Sequence, residues 1–320
     1  MLDERNYMKL KWIGFFSLIA VAMFGYFYTL IQMPKNASFF IMLVLLGLIL
    51  TAIISEFFKE QKREMIQTPT KELVYSFVFV VVGTLIPYYM SMLFDIHVVI
   101  GSAFVGILFH FALRKYEIEA YCGSFAGMIS ILVVGPFEIL LVALLTGIVF
   151  VLAKPVWKGF GGKLGTIGFV GTVGSILILG KEFLAPITIP DETLFVVFSV
   201  LGVVTTYIVQ HMFKQTATLA SSATSLVVAL IAHYILRLNP VYMTVFFAAS
   251  FVGMADKTKI NGLFTAAFAG FIIGYIFLMF APYLNGAGGK LGTMAFLTTL
   301  SIHGMNELII YTKAYSNKVR

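Results

Sequence analysis

The chain has 320 residues, of which 60% are hydrophobic and 12% charged, with a mean hydropathy of +0.96. A soluble domain of this length cannot bury that much apolar surface, so the composition excludes a water-soluble globular protein and makes the bilayer the solvent. The formal net charge of +7 then reads as loop charge on one membrane face rather than a nucleic-acid surface, and the single cysteine, Cys122, excludes an internal disulfide and a thiolate metal cluster.

In chain order, the first apolar run, 12–33, is too long for a signal-peptide core and lacks a small-residue cleavage site before Pro34, which makes it a retained helix. Further runs near the length needed to cross a bilayer lie at 38–58, 73–94, 96–113, 119–135, 136–153, 164–181, 194–213, 218–236, 240–255, 262–281 and 291–311. They are continuous rather than alternating, which predicts an all-α polytopic membrane protein of about 12 transmembrane helices and excludes a barrel. With the N-terminus cytoplasmic, of the 22 Lys and Arg only Lys35, Lys181, Arg237 and Lys290 fall outside. That bias obeys the positive-inside rule and places both termini in the cytoplasm.

Three words recur in the same order at a nearly constant offset. H-F-A-L-R at 110–114 returns as H-Y-I-L-R at 233–237, S-F-A-G-M at 124–128 as S-F-V-G-M at 250–254, and G-G-K-L-G-T at 161–166 as the same six residues at 288–293. The repetition divides the chain into two N-terminal helices with a basic loop (1–71), repeat A (72–190) and repeat B (191–320). Each repeat holds five expected spans, an odd number, so the halves enter from opposite faces: a 5+5 inverted repeat, the design of many secondary transporters and some channels. If 119–135 and 240–255 are re-entrant instead, the halves become parallel. The lysines at 154, 158 and 163 would then move outside, which the charge bias disfavours.

The repeated words supply the candidate binding residues. Gly162, Lys163 and Thr166, with Gly289, Lys290 and Thr293, place flexible backbone and a lysine at the start of an apolar helix, which suits an anion or carboxylate. The same pattern also satisfies a tight turn with a snorkelling lysine. It lacks the G-x-x-x-x-G-K-[ST] spacing of a nucleotide loop. Ser124, Gly127, Ser250 and Gly253 lie in the shortest span of each half, where small residues permit a broken helix around a central site, or simply close helix packing. Opposite orientations put Lys163 towards the cytoplasm and Lys290 towards the outside, so the two copies are expected to act as paired gates or helix starts unless both dip inward, with the serine-glycine words as the central site. Tyr88, Tyr89 and Tyr207 follow matching glycines and are candidates for lining a path, although most such aromatics only pack.

Ionisable residues at membrane depth are costly and mark function. Glu138 begins one span, and His303, Asn306 and Glu307 share a face of the last; these are the candidate proton-coupling groups. Positions 59–71 read as a solvated basic loop, and Asp256, Lys257 and Lys259 as a cytoplasmic turn. No clustered Asp/His/Ser or metal-ligand set suggests an enzyme, and no metal or cofactor is expected. The expectation is a secondary transporter of a small anion, carboxylate or polar neutral solute, multi-pass in a bacterial cytoplasmic membrane. Its partners are the lipid bilayer, the solute, a coupling ion (H+ or Na+) and further copies in a homo-oligomer, with no nucleic acid. The alternatives are a channel of the same architecture and a non-catalytic membrane subunit of a larger complex.

Overall fold

The computed structural model describes residues 4–63, 69–187 and 193–319, with side chains over 10–63, 69–187 and 194–316. The second expected repeat boundary, at 190/191, lies outside the described residues. The architecture is all-helical: α1 Glu4–Gln32, α2 Ala37–Lys62, α3 Thr70–Phe94, α4 Val98–Ala112, α5 Glu117–Ala126, α6 Ile139–Ala153, α7 Lys163–Ile178, α8 Thr193–His211, α9 Ala217–Leu230 with a π turn at Ile231–Ile235, α10 Pro240–Gly253, α11 Leu263–Phe280 and α12 Lys290–Val319. Local chemistry sets several starts. Asn36, Thr216 and Asn239 each cap a helix by accepting from a backbone N–H two or three residues on, and Pro240 fills a first-turn position whose N–H would have no helical partner.

Among the described residues six segments are long and apolar enough to cross a membrane: Leu10–Gln32, Ala37–Lys62, Thr70–Phe94, Leu194–His211, Ala217–Ile235 and Leu263–Phe280. The expected count of about twelve full spans is therefore not met by length alone. Val98–Ala112, Ile139–Ala153, Lys163–Ile178 and Pro240–Gly253 are apolar but shorter, and α5 has only 10 residues. The surface is what a lipid-embedded protein presents. Ile31, Leu132, Phe137 and Phe264 are all at least 80% exposed, an arrangement that water would penalise. Conversely, small hydroxyls are inside and bond back to the preceding turn, as Thr84 to Val80 O, Thr146 to Val142 O and Thr298 to Met294 O, so these buried donors are satisfied without water.

The two halves pack alike. Helix α3 lies on α5 and α6, and α8 on α10 and α11. Glycines make these approaches: a Cβ at Gly83 would strike Ala120 O, and one at Gly202 would strike Phe246 O. Helix α4 meets α9 and α7 meets α12 between the halves, while α1 rests on α6 and α7, and α2 on α12.

Both inter-half pairs run antiparallel. Along α4, Gly106 abuts Ser222 and His110 Nδ1, further on, lies 3.3 Å from Thr216 Oγ1, further back in the sequence. Along α7, Gly162 faces Gly292, Ala295 and Phe296, whereas Gly168 and Phe169 face Gly289. Helix α5 and the stretch after it pass from one end of the bundle to the other. Glu117 Oε2 lies 2.6 Å from His110 Nδ1 at the first end, while Ser130 N donates to Gly286 O and Glu138 pairs with Lys181 at the second. Half of that passage is helix and half is turns.

Candidate solute-binding site

The glycine-lysine words meet one another. Gly165 and Gly292 touch backbone to backbone; a Cβ on Gly165 would sit 2.5 Å from the Gly292 Cα. The first turns of α7 and α12 therefore overlap head to head, each pointing its N-terminus past the other. Gly162 and Gly289, at φ +80° and +78°, occupy the left-handed region that favours glycine and press on the partner helix's backbone. The next contact is equally reciprocal. Gly161 leans on Phe251 O and Val252 O at the end of α10, and Gly288 on Phe125 O and Ala126 O at the end of α5. Thr299 Oγ1 donates to Gly161 O at 3.3 Å and Thr172 Oγ1 to Gly288 O at 2.8 Å. Each glycine-lysine word thus rests on the serine-phenylalanine word of the other half.

A cavity of about 370 Å³ opens at this junction, at the end of the bundle that holds Glu117 and Thr216. Phe125, Phe251, Leu164 and Gly165 line it with Gly162 and Lys163, and Lys158 and Asp256 stand exposed among its lining. Rings of Phe125 and Phe251 lie 4.6 Å apart. From the sequence-predicted set the cavity takes Gly162 and Lys163. Thr166 and Thr293 are fully buried, and their hydroxyls donate to Gly162 O and Gly289 O four residues back. Ser124 and Ser250 are also fully buried, with their hydroxyls spent on protein: Ser124 on Ser102 at 2.7 Å and Tyr121 O, Ser250 on Ser221 at 2.7 Å, Ser225 and Phe247 O. Gly127 and Gly253 allow α5 and α10 to touch Thr84 O and Val203 O. The phenylalanine of each serine-glycine word, rather than its serine or glycine, faces the cavity.

At the other end the corresponding place, beside Lys290, is filled. Leu184 and Asn285 form an antiparallel bridge, with Leu184 N donating to Asn285 O at 2.9 Å. Leu184 packs over Gly286, and Asn285 Nδ2 donates to Ala185 O and Pro282 O. Lys290 is 9% exposed and donates to Ala281 O, Tyr283 O and Asn285 Oδ1 at 3.0, 2.8 and 2.7 Å. Tyr88 is buried and donates to Val134 O, Tyr89 donates to Pro136 O, and Tyr207 accepts from Gly262 N.

The proton-coupling candidates separate. Glu138 lies at the second end, in the loop ahead of α6, where Gly135 N–H and then Lys181 hold its carboxyl below the usual carboxylate range. His303, Asn306 and Glu307 lie together on α12 and join residues outside the sequence-predicted set. His303 Nε2 is 2.9 Å and Lys259 Nζ 2.6 Å from Glu56 Oε1, and Lys59 Nζ is 2.8 Å from Glu307 Oε1. Ser55 donates to Glu307, and Asn306 to Lys259 O. Lys259, expected in a solvated turn, is 7% exposed and sits over the Phe160 ring; Glu56 is 1% exposed. Glu56 and Glu60 recur one turn apart in a largely apolar helix, a signal of buried pairing that the expectation of a solvated loop over 59–71 misses. Among the described residues no group of three or more His, Cys, Asp or Glu could hold a metal. No family model, curated protein or solved structure matches the chain.

Proposed function

We propose that this chain is a secondary transporter of a small solute, built as two inverted five-helix repeats, with the cavity at the α7–α12 crossing as its solute site. The observation that carries the reading is the contrast between the two ends. One copy of the repeated glycine-lysine word opens on a cavity, while the related place at the other end is stopped by Leu184 and Asn285. A site accessible from one side, and closed on the other by a segment held through few hydrogen bonds, is the arrangement that alternating access requires; a fixed pore has no need of the stopper. The inversion is supported by the antiparallel α4–α9 and α7–α12 pairs and by the reciprocity of their contacts. The N-terminus of α7, with Lys163 and Lys158 beside it in the cavity lining, favours an anionic or polar solute.

The charge bias puts the open end in the cytoplasm, where Lys115, Lys154, Lys158 and Lys257 gather. The ionic cluster of Glu56, Lys259, His303 and Glu307 lies at that end and is the candidate for ion coupling. Reconstitution into liposomes tests the carrier: saturable uptake with solute counterflow is expected. Unsaturable, ohmic flux would replace the carrier with a channel, and absence of flux for every small anion and polar solute tried would remove transport.

A further inference from the structure

The two copies of the glycine-lysine word are chemically unequal at their lysines. Lys290 Nζ donates to three oxygens, so its ammonium is saturated by the protein. Lys163 Nζ has one oxygen partner among the described residues, Lys154 O at 3.2 Å, which matches the Ala281 O contact of its twin. The position equivalent to Asn285, whose Oδ1 completes the Lys290 shell, is Lys158, which has no oxygen to offer and adds a second ammonium. Both lysines line the cavity.

Two acids, Glu117 and Asp256, share the lining with the lysines, and neither they nor the adjacent Glu119 forms an ion pair with Lys158 or Lys163 among the described residues. Glu117 is buried against His110 and Thr216, Glu119 pairs with Lys154, and Asp256 is exposed beside Gly159. Apart from Thr216 and Thr218, the side chains of the rest of the wall are apolar, Phe125, Phe160, Leu164 and Phe251 among them. An inorganic anion would use the lysines and waste this wall; a neutral polar solute would leave the half-buried Lys163 donors unmatched.

From this we infer that the cavity binds a small monocarboxylate with a short apolar or aromatic body, its carboxylate held by Lys163 and Lys158 and its hydrocarbon part set against Phe125 and Phe251. The inference rests on the carrier reading for the site's purpose, though binding itself can be read without transport.

The test uses the full chain purified in detergent, titrated calorimetrically with butyrate, benzoate, butyramide and inorganic phosphate. Butyrate and benzoate should bind, and butyramide at least about tenfold more weakly, because a charge-assisted hydrogen bond is lost. Lys163→Gln should bring butyrate to the level of butyramide. Lys158→Gln, at an exposed position where folding is not at stake, should weaken butyrate severalfold. Equal affinity for butyrate and butyramide, a preference for phosphate, or unchanged butyrate binding in both variants overturns the inference. Counterflow separates the two readings. Carboxylate binding with this pattern but no counterflow sinks the carrier and keeps the site, whereas counterflow of a neutral solute indifferent to Lys163→Gln keeps the carrier and sinks the carboxylate.

Discussion

The reciprocal glycines at the α7–α12 crossing allow a stability test with its own controls. Replacing Gly162 or Gly289 by Ala puts a Cβ on a left-handed residue, costing about 1–2 kcal/mol, and drives it into the partner helix at Gly292 or Gly165, where overpacking adds roughly 1–3 kcal/mol. Each variant should therefore lose about 2–5 kcal/mol. Because the contacts are reciprocal, the two losses should agree within about 1 kcal/mol, well inside that spread. Gly180 has φ +62° but nothing within 4 Å of a Cβ, so Gly180→Ala should show only the backbone part, about 1 kcal/mol. Gly47, mid-helix and likewise open, should gain about 0.5–1 kcal/mol when changed to Ala. Thermal melts of purified protein followed by size-exclusion recovery give the ranking. If Gly162→Ala melts with Gly180→Ala, or differs widely from Gly289→Ala, the head-to-head crossing is wrong.

Three further outcomes are expected. Glu56→Ala strands Lys259 and His303 beside a lost carboxylate and should cost about 3–5 kcal/mol, most of it regained in Glu56→Leu/Lys259→Met, as melts would read; equal melting of single and double variants would deny that the pair is coupled. Leu184→Gly should cost only ~1 kcal/mol, since the side chain is half-buried, yet speed maleimide labelling of Ala287→Cys in a Cys122→Ala background; unchanged labelling would show that Leu184 is no stopper. The Glu138–Lys181 tie should contribute stability above the unfolded carboxylate pKa and lose it as pH falls through the depressed folded value, so the acid side of the melting profile should flatten in Glu138→Gln and stay as steep if the tie is idle.

Much of the helix pattern was legible because lipid-facing surface must be apolar in long runs, and the expected spans track the observed helices from α1 to α12. Length was where the reading strained. Helices α5 and α10 are short because their carbonyl ends stop at the crossing to support Gly288 and Gly161, a tertiary demand invisible in hydropathy. The repeated words located the junction but not the roles within it. A serine in a small-residue word can line a site or bond a neighbouring serine, and only packing shows that Ser124 and Ser250 do the latter while the phenylalanines face the cavity. Lys259 was hidden for the opposite reason: its sequence neighbours are polar, and the carboxylate that buries it lies far away in the chain on α2.

The flanks of the two glycine-lysine words account for a cavity beside the first and none described beside the second. Both glycine-lysine words make the same backbone contacts, so the crossing itself is symmetric; the differences lie in the segments that flank each word. After α7 the chain turns at Gly180 and returns Leu184 across Asn285, stopping the second end. After its first turns α12 runs straight on through Glu307 to Val319, and no equivalent stopper forms at the first end among the described residues. Asn285 saturates Lys290 where Lys158 leaves Lys163 unsaturated. Exchanging that single pair should therefore move the ligand chemistry: Lys158→Asn should complete the Lys163 shell and weaken carboxylate binding by at least about tenfold, as a lost charge-assisted hydrogen bond predicts. Calorimetry would read it, and full butyrate affinity in Lys158→Asn would mean that the oxygen count around Lys163 does not set the site.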